Sequence, residues 1–319
     1  MAAPCELLEV LVDDSLLLHC AQQLSTATDL LHLALTCRRF ALRTAVVCGT
    51  TRSHVVHGEP ASRVAAPAVA TAQPEPLQQS AEMWSIVEEV ARRWLNNCSE
   101  QERGWVPRRG GESWLSLMRE VELLRGPVVF TRAHPSYSVA QCGTLVKLRV
   151  DNAGEHWRAA ATGPVLRAGQ HCAQFTVVDG DSMHFGVIRP DWDVVDGADS
   201  SGQDAAAVEG HCFYNSFTGF LLPGYRRWQN EAEADSVSQY ANEGDCIGLV
   251  LDIDQGSMSV YKNDMRLGVM VASGLTGEYC WAVSLGSEQG DSARIGPMAL
   301  PSKSHTLDGN SHDLNCCKA

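Results

Sequence analysis

Residues 244–264 read Gly-Asp-Cys-Ile-Gly-Leu-Val-Leu-Asp-Ile-Asp-Gln-Gly-Ser-Met-Ser-Val-Tyr-Lys-Asn-Asp, two β-type runs joined by a tight turn. Ile247, Leu249 and Leu251 alternate onto one face, as a strand with a buried side requires. Asp254-Gln255-Gly256 supplies hairpin chemistry. At Lys262-Asn263-Asp264 a positive φ must be borne by Asn263 and Asp264, which tolerate it better than most residues. Similar short runs surround this hairpin: 145–150, 172–178, 184–188, 267–271 and 280–285. Turn signals such as Asp179-Gly180-Asp181 separate them. Many short strands at spacings of about 8–12 residues predict a β-sandwich or barrel.

The period changes before residue 126. Leu16, Leu17, Cys20 and Leu24, then Leu30, Leu31, Ala34 and Leu35, recur at helical spacing over residues 6–47. Asp13 or Asp14 is placed to cap the first helix, and Thr26 or Thr28 the second. A unit of about 40 residues is marginal alone, so it needs a partner surface. Residues 48–79 carry Pro60, Pro67, Pro74 and Pro76 without periodicity and read as a linker. Two amphipathic helices follow within 80–125, at about 82–96 (Ile86, Val87, Val90, Trp94, Leu95) and about 113–124 (Trp114, Leu117, Met118, Val121, Leu124). Residues 102–111 between them read as a turn, and the two helices are expected to pack on each other or on the sandwich. Residues 300–319 read as a flexible polar tail.

Charge narrows the partners. The chain has 319 residues, 38 acidic and 25 basic, for a net charge of −13. That balance repels phosphate backbones and anionic membranes, so neither nucleic acid nor membrane is expected. No run approaches the roughly 18 apolar residues of a spanning helix. The acidic N-terminus is the opposite of a signal peptide, so an intracellular location, cytoplasmic and/or nuclear, is expected. The 12 cysteines are spread singly, without a Cys-x-x-Cys pair, and are expected to be mainly buried thiols. Cys316 and Cys317 fall in the polar tail and carry no strong lipidation signature.

Five stretches carry a resemblance: Gly169–Phe175, Met183–Val187, Gly210–Tyr214, Gly244–Asp264 and Trp281–Leu285. In this order, over 126–299, they resemble the SPRY family, with Trp281–Leu285 matching its last core strand. The resemblance implies a two-sheet antiparallel sandwich without cofactor or catalysis, in which loops at one end hold a peptide or folded protein. By position it brings Arg189, Asp191, Trp192 and Asp193, and Ser287, Glu288 and Gln289, near that surface. Trp192 either anchors a partner or folds back under its own loop. Tyr225-Arg226-Arg227-Trp228 is a second aromatic–basic candidate.

Leu11–His19, Leu24 and Asp29–Phe40, ending Cys-Arg-Arg-Phe, resemble an F-box. Val12 stands where the family has proline, and one extra residue precedes Leu16. The resemblance implies docking on a Skp-type adaptor of a cullin–RING ubiquitin ligase complex through Leu11, Leu17, Leu18, Leu24 and Leu31. The alternative is a SPRY-type binding scaffold with no link to ubiquitination, its N-terminal helices packing within the chain.

No motif supports an enzyme. Gly111-Glu112-Ser113 lacks the closing glycine of a nucleophile elbow. Asp252-Ile253-Asp254-Gln255-Gly256 lacks the later acids of a calcium loop. His54 and His57 have no ligand partner at metal spacing. The expected architecture is mainly β: a SPRY-like antiparallel β-sandwich, a small α-helical N-terminal F-box-like unit, and two intervening helices.

Overall fold

The computed structural model describes residues 14–36, 43–44, 84–149, 157–196, 204–219, 221–222, 240–286 and 290–299. The chain divides into two compact units, residues 1–97 with 112–119, and residues 98–111 with 120–319. The division falls inside a helix, not at the 125/126 boundary that the change of period suggests.

The first unit holds α1 (Asp14–Gln22), α2 (Ala27–Thr36), a two-residue antiparallel ladder of β1 (Arg43–Thr44) with β2 (Trp84–Ser85), and α3 (Ile86–Asn96). Thr26 caps α2, its Oγ1 accepting from Asp29 N at 3.1 Å and donating to Asp29 Oδ2 at 2.7 Å. Ser85 caps α3 by accepting from Glu88 N. Such caps satisfy amides that have no partner inside the helix. Both α1 and α2 pack on α3. Ala21, Ala27 and Leu30 are buried, as are Ile86, Val87, Val90, Ala91 and Leu95 of α3. Trp94 is only half-buried. Glu89, also buried, bonds Arg92 and Arg93 at 2.7 Å each. Burial raises its carboxyl pKa, but the two guanidinium hydrogen bonds outweigh that and hold it below the usual range.

The second unit opens with α4 (Glu100–Trp105), where the sequence reads as a turn. Ser99 and Glu102 form a reciprocal capping box there, which stabilises even a short helix. α5 (Trp114–Arg125) is the helix in which the division falls, residues 114–119 belonging to the first unit; Leu117, Met118 and Val121 are buried. Two antiparallel sheets come next. One has the order β10-β9-β8-β14-β6-β3 and the other β13-β12-β11-β7-β15-β5-β4.

In chain order the strands are β3 (Phe130–Ala133), β4 (Tyr137–Ala140), β5 (Leu145–Leu148), β6 (Ala160–Thr162), β7 (Gln170–Asp179), β8 (Met183–Ile188), β9 (Cys212–Asn215), β10 (Leu221–Leu222), β11 (Cys246–Asp252), β12 (Ser257–Lys262), β13 (Met265–Val271), β14 (Cys280–Leu285) and β15 (Ser292–Gly296). The expected mainly-β sandwich is therefore present. The strand matched to the family's last is not the last here, because β15 follows and pairs between β7 and β5.

Along β7, His171, Ala173, Phe175 and Val177 are buried while the intervening residues are half-buried. This is the alternation of a sheet with one face on the core. Phe175 meets Phe185 of the facing sheet with ring centroids 5.1 Å apart. β8 and β14 are buried on both faces. Their outer face lies under a second apolar cluster that includes Ala161, Ile188, Val194, Ala205, Phe213 and Ala282. Gly186 permits this packing, since a Cβ there would stand 1.9 Å from Cys212 O. Asn263 and Asp264 take φ of 49° and 67°, as the hairpin sequence requires. Among the described cysteines, Cys98, Cys212 and Cys280 are buried, Cys172 and Cys246 half-buried, and Cys20 and Cys142 exposed; all are free thiols.

Candidate functional site

Arg189 and Gly286, which open the two loop stretches singled out for partner binding, follow strands that pair with each other. β8 and β14 run antiparallel, with Ile188 opposite Cys280 and Met183 opposite Leu285. Arg189 therefore leaves one end of the strand pair and Gly286 leaves the other. Six-residue strands separate the two ends by about 16 Å.

At the first end, Arg189, Pro190 and Trp192 make contacts within the fold, while Asp191 and Asp193 are exposed. Arg189 Nη1 donates to Thr276 O and Glu278 O, and its guanidinium carbon lies 4.4 Å from the Tyr279 ring centroid. Trp192 is half-buried against the outer cluster and meets His211 edge-on at 5.2 Å. Its carbonyl and that of Pro190 accept from Arg132 Nη1. Asp193 Oδ1 accepts from Val195 N at 2.8 Å and closes its own turn. Asp191 is exposed.

At the second end, Ser216 ties three segments. Its Oγ accepts from Met183 N at 2.9 Å and donates to Asp181 O, and its carbonyl accepts from Ala241 N at 2.9 Å. Asn215 Oδ1 accepts from Phe217 N and Thr218 N, the Asx geometry that turns the chain at the end of β9. This knot presents two aromatic side chains to solvent, Phe217 at 59 % exposure and Tyr240 at 39 %. Lys262 Nζ donates to Tyr240 O and pairs with Asp245 at 3.0 Å. Asn263 bridges Cys246 N and Asp245 Oδ1. Burial pushes the Asp245 pKa up, and hydrogen bonds from Asn242, Asn263 and Lys262 more than offset it, so the carboxyl titrates below its usual range.

Among the described residues, Asp179, Asp181, Glu243 and Asp264 are exposed carboxylates at this end. Gly286 N donates to Ser182 O at 2.7 Å, which anchors the start of the loop after β14. Asp291, at its far side, is buried, its Oδ1 lying 1.9 Å from where a Cβ on Gly180 would stand. Ser287, Glu288 and Gln289 lie outside the described residues, as do residues 225–228.

Phe217 and Tyr240 were not singled out in the sequence. The Asn215-Ser216-Phe217-Thr218-Gly219 run held a usable signal, an Asx turn with an apolar residue at its tip. Tyr240 had none.

In the first unit, Leu18 and Leu24 are half-buried, Leu31 is 37 % exposed, and Leu35, one turn further on the same face, is 76 % exposed. Leu11, the Leu17 side chain, residues 37–42, and His54 and His57 lie outside the described residues. Among the described residues, no group of three or more His, Cys, Asp or Glu is placed to hold a metal ion. No helix among them is long and apolar enough to cross a membrane.

No protein-family model matches the chain, and no curated protein matches it. Among solved structures, the SPRY domain of human HERC1 is similar at 18 % identity and a TM-score of 0.40, over 52 % of this chain and 94 % of that one. The TRIM65 PSpry domain is similar at 14 % identity and a TM-score of 0.37, over 56 % of this chain and 94 % of that one. The sandwich assignment stands on the two sheets of the chain itself.

Proposed function

We propose that the chain is a non-catalytic receptor. Its sandwich holds a protein partner, and its N-terminal helices dock on a Skp-type adaptor of a cullin–RING ubiquitin ligase. The observation that carries the first half is the pair of exposed aromatics, Phe217 and Tyr240, held on a hydrogen-bonded knot among exposed carboxylates. Rigid aromatic side chains on a braced surface are what binding hot spots are made of. The surrounding acids favour a partner with basic residues flanking an apolar anchor. Ser287, Glu288 and Gln289 keep their proposed part in partner binding in this reading.

Support for the second half is the F-box-like sequence together with the outward leucines of α2. Leu31 and Leu35 line a face that Leu30 does not share. In this role the chain does no chemistry; it raises the local concentration of a substrate lysine near the ubiquitin-loaded enzyme.

A second reading is favoured by a specific observation. Ala21, Ala27 and Leu30 are fully covered and α1 and α2 pack on α3, as expected of a scaffold whose N-terminal helices serve only the chain itself. The deciding experiment is co-purification of the full chain with a Skp-type adaptor, compared with Leu31→Asp. The exposed position of Leu31 lets the variant fold. Capture of the parent chain and loss with Leu31→Asp supports the ligase receptor. No capture of the parent leaves the scaffold reading in place.

A further inference from the structure

Trp157 and residues 204–208 form a strap over the outer face of β8 and β9. Trp157 N donates to Asp204 Oδ1 at 2.9 Å, Ala205 N to Trp157 O at 3.0 Å, and Ala207 N to Asp204 O at 2.8 Å. Ala205 and Ala206 are buried in the outer apolar cluster. Two histidines of the sheet hold this strap down. The Trp157 indole stacks on His184 of β8. His211, which leads into β9, bonds Ala205 O through Nδ1 at 2.8 Å. Both rings are buried, at 5 % and 2 % exposure.

Their partners fix the hydrogen on each ring. The Asn215 Nδ2 group can only donate, so His184 Nε2 accepts and Nδ1 carries the hydrogen. The Ala205 carbonyl can only accept, so His211 Nδ1 carries the hydrogen and Nε2 is bare. His184 Nδ1 and His211 Nε2 have no hydrogen-bond partner among the described residues. A further proton would enter either ring at Nε2. On His184 it would meet the Asn215 donor. Asn215 cannot turn its amide over without releasing Phe217 N and Thr218 N, which its Oδ1 holds at 2.9 Å each. On His211 the new N–H would find no acceptor.

Neighbouring charges do not compensate. Next to His184, Asn215 of β9 and Ser284 of β14 are neutral, and Asp204 of the strap is engaged with Trp157 N. Burial is the largest influence on His211 and keeps it neutral; Arg189 adds to that effect, while the Ala205 carbonyl and Asp191 oppose it. Trp192, edge-on to the ring, is neutral, and Glu209 on its own segment is exposed. A buried charge without a partner is relieved by admitting water. The sheet resists this, because β8 is laddered to β9 on one side and β14 on the other. The strap rests on one ring stack, the His211 bond and two alanines, and weakly held segments open without global unfolding.

We propose that acid lifts the strap, Trp157 with residues 204–208, off the sheet as a unit, one proton entering each of His184 and His211 while the two sheets stay joined. The outer face of β8 and β9 is thereby closed at neutral pH and more available in acid.

The test is amide hydrogen exchange of the full-length ¹⁵N-labelled chain at pH 7 and pH 5, read as opening constants after correction for intrinsic rates. The Trp157 and Ala205 amides report the strap, and amides of β8 and β14 report the sheet. An exposed histidine ring takes up its proton near pH 6.5 and the covered one resists. Strap opening should therefore rise about 20-fold per histidine, and about 400-fold for the pair. Trp157 and Ala205 should share one opening constant, larger than that of the sheet amides at both pH values. His184→Phe and His211→Asn should each take about 20-fold off the pH dependence. Residues that merely pack would raise opening equally at both pH values and leave the ratio intact. The proposal is overturned if strap opening does not rise between pH 7 and pH 5, if it equals sheet opening at pH 5, or if both variants keep the parent's ratio. The strap-against-sheet comparison on the parent chain holds even if a variant folds poorly.

Discussion

The indole of Trp157 lies flat on the imidazole of His184, with ring centroids 3.8 Å apart and planes 8° from parallel. Asn215 Nδ2 donates to His184 Nε2 at 3.0 Å, an arrangement that requires the neutral ring. Burial lowers the His184 pKa to about 3, and it lowers those of His171 and His211 to about 4.

These three rings make the second unit sensitive to mild acid. The unfolded chain takes up protons near pH 6.5, whereas the folded one resists until about pH 3–4. The stability they contribute is thus fully present above pH 6.5 and is lost progressively as pH falls toward the folded values. The loss at pH 5 is on the order of 2 kcal/mol per histidine. Urea unfolding at pH 7 and pH 5 measures it. His184→Phe keeps a ring on Trp157 and should remove about a third of the difference.

Gly186→Ala should abolish or severely weaken folding. The added Cβ would stand 1.9 Å from Cys212 O and 2.8 Å from Phe213 Cα, backbone atoms in the middle of a sheet that cannot step aside. A cost above about 3 kcal/mol is expected. Gly296→Ala, with nothing within 4 Å of its Cβ, is the matched control and should melt near the parent temperature.

Asp264→Gly should stabilise the chain by about 0.5–1 kcal/mol. The residue sits at φ 67°, where glycine is relaxed and other residues are strained. A rise in melting temperature without change in the unfolding m-value is the expected signature.

Thr162→Val should raise stability by about 1 kcal/mol, because it removes a buried hydroxyl that has no partner among the described residues while keeping the side-chain shape. Chemical denaturation of the two proteins side by side reads this directly. A drop of similar size would mean that the hydroxyl is satisfied in solution.

Much of the sandwich was legible because its strands are locally consistent. β11 and β12 alternate cleanly, turn residues separate them, and Asn263-Asp264 sit where positive φ is needed. The strands that escaped notice, β3, β6 and β15 among them, are short or small-residue runs such as Ala160-Ala161-Thr162. Cross-strand pairing defines these, and a local pattern does not reveal it. α4 was legible in principle from Ser99-Glu100-Gln101-Glu102, but its charge and Gly104 disguised it as a turn. The candidate surface was half legible. A loop following a recognised strand can be placed in sequence, but which end of the sheet it leaves from depends on strand direction. The hydrogen bond from Ala241 N to Ser216 O links the neighbours of Tyr240 and Phe217 across distant parts of the chain.

The antiparallel pairing of β8 with β14 has one more consequence. The loop that opens at Arg189 and the loop that opens at Gly286 stand at opposite poles of one strand pair. Substitutions that retune one pole need not disturb the other, because a rigid, doubly covered pair of strands stands between them.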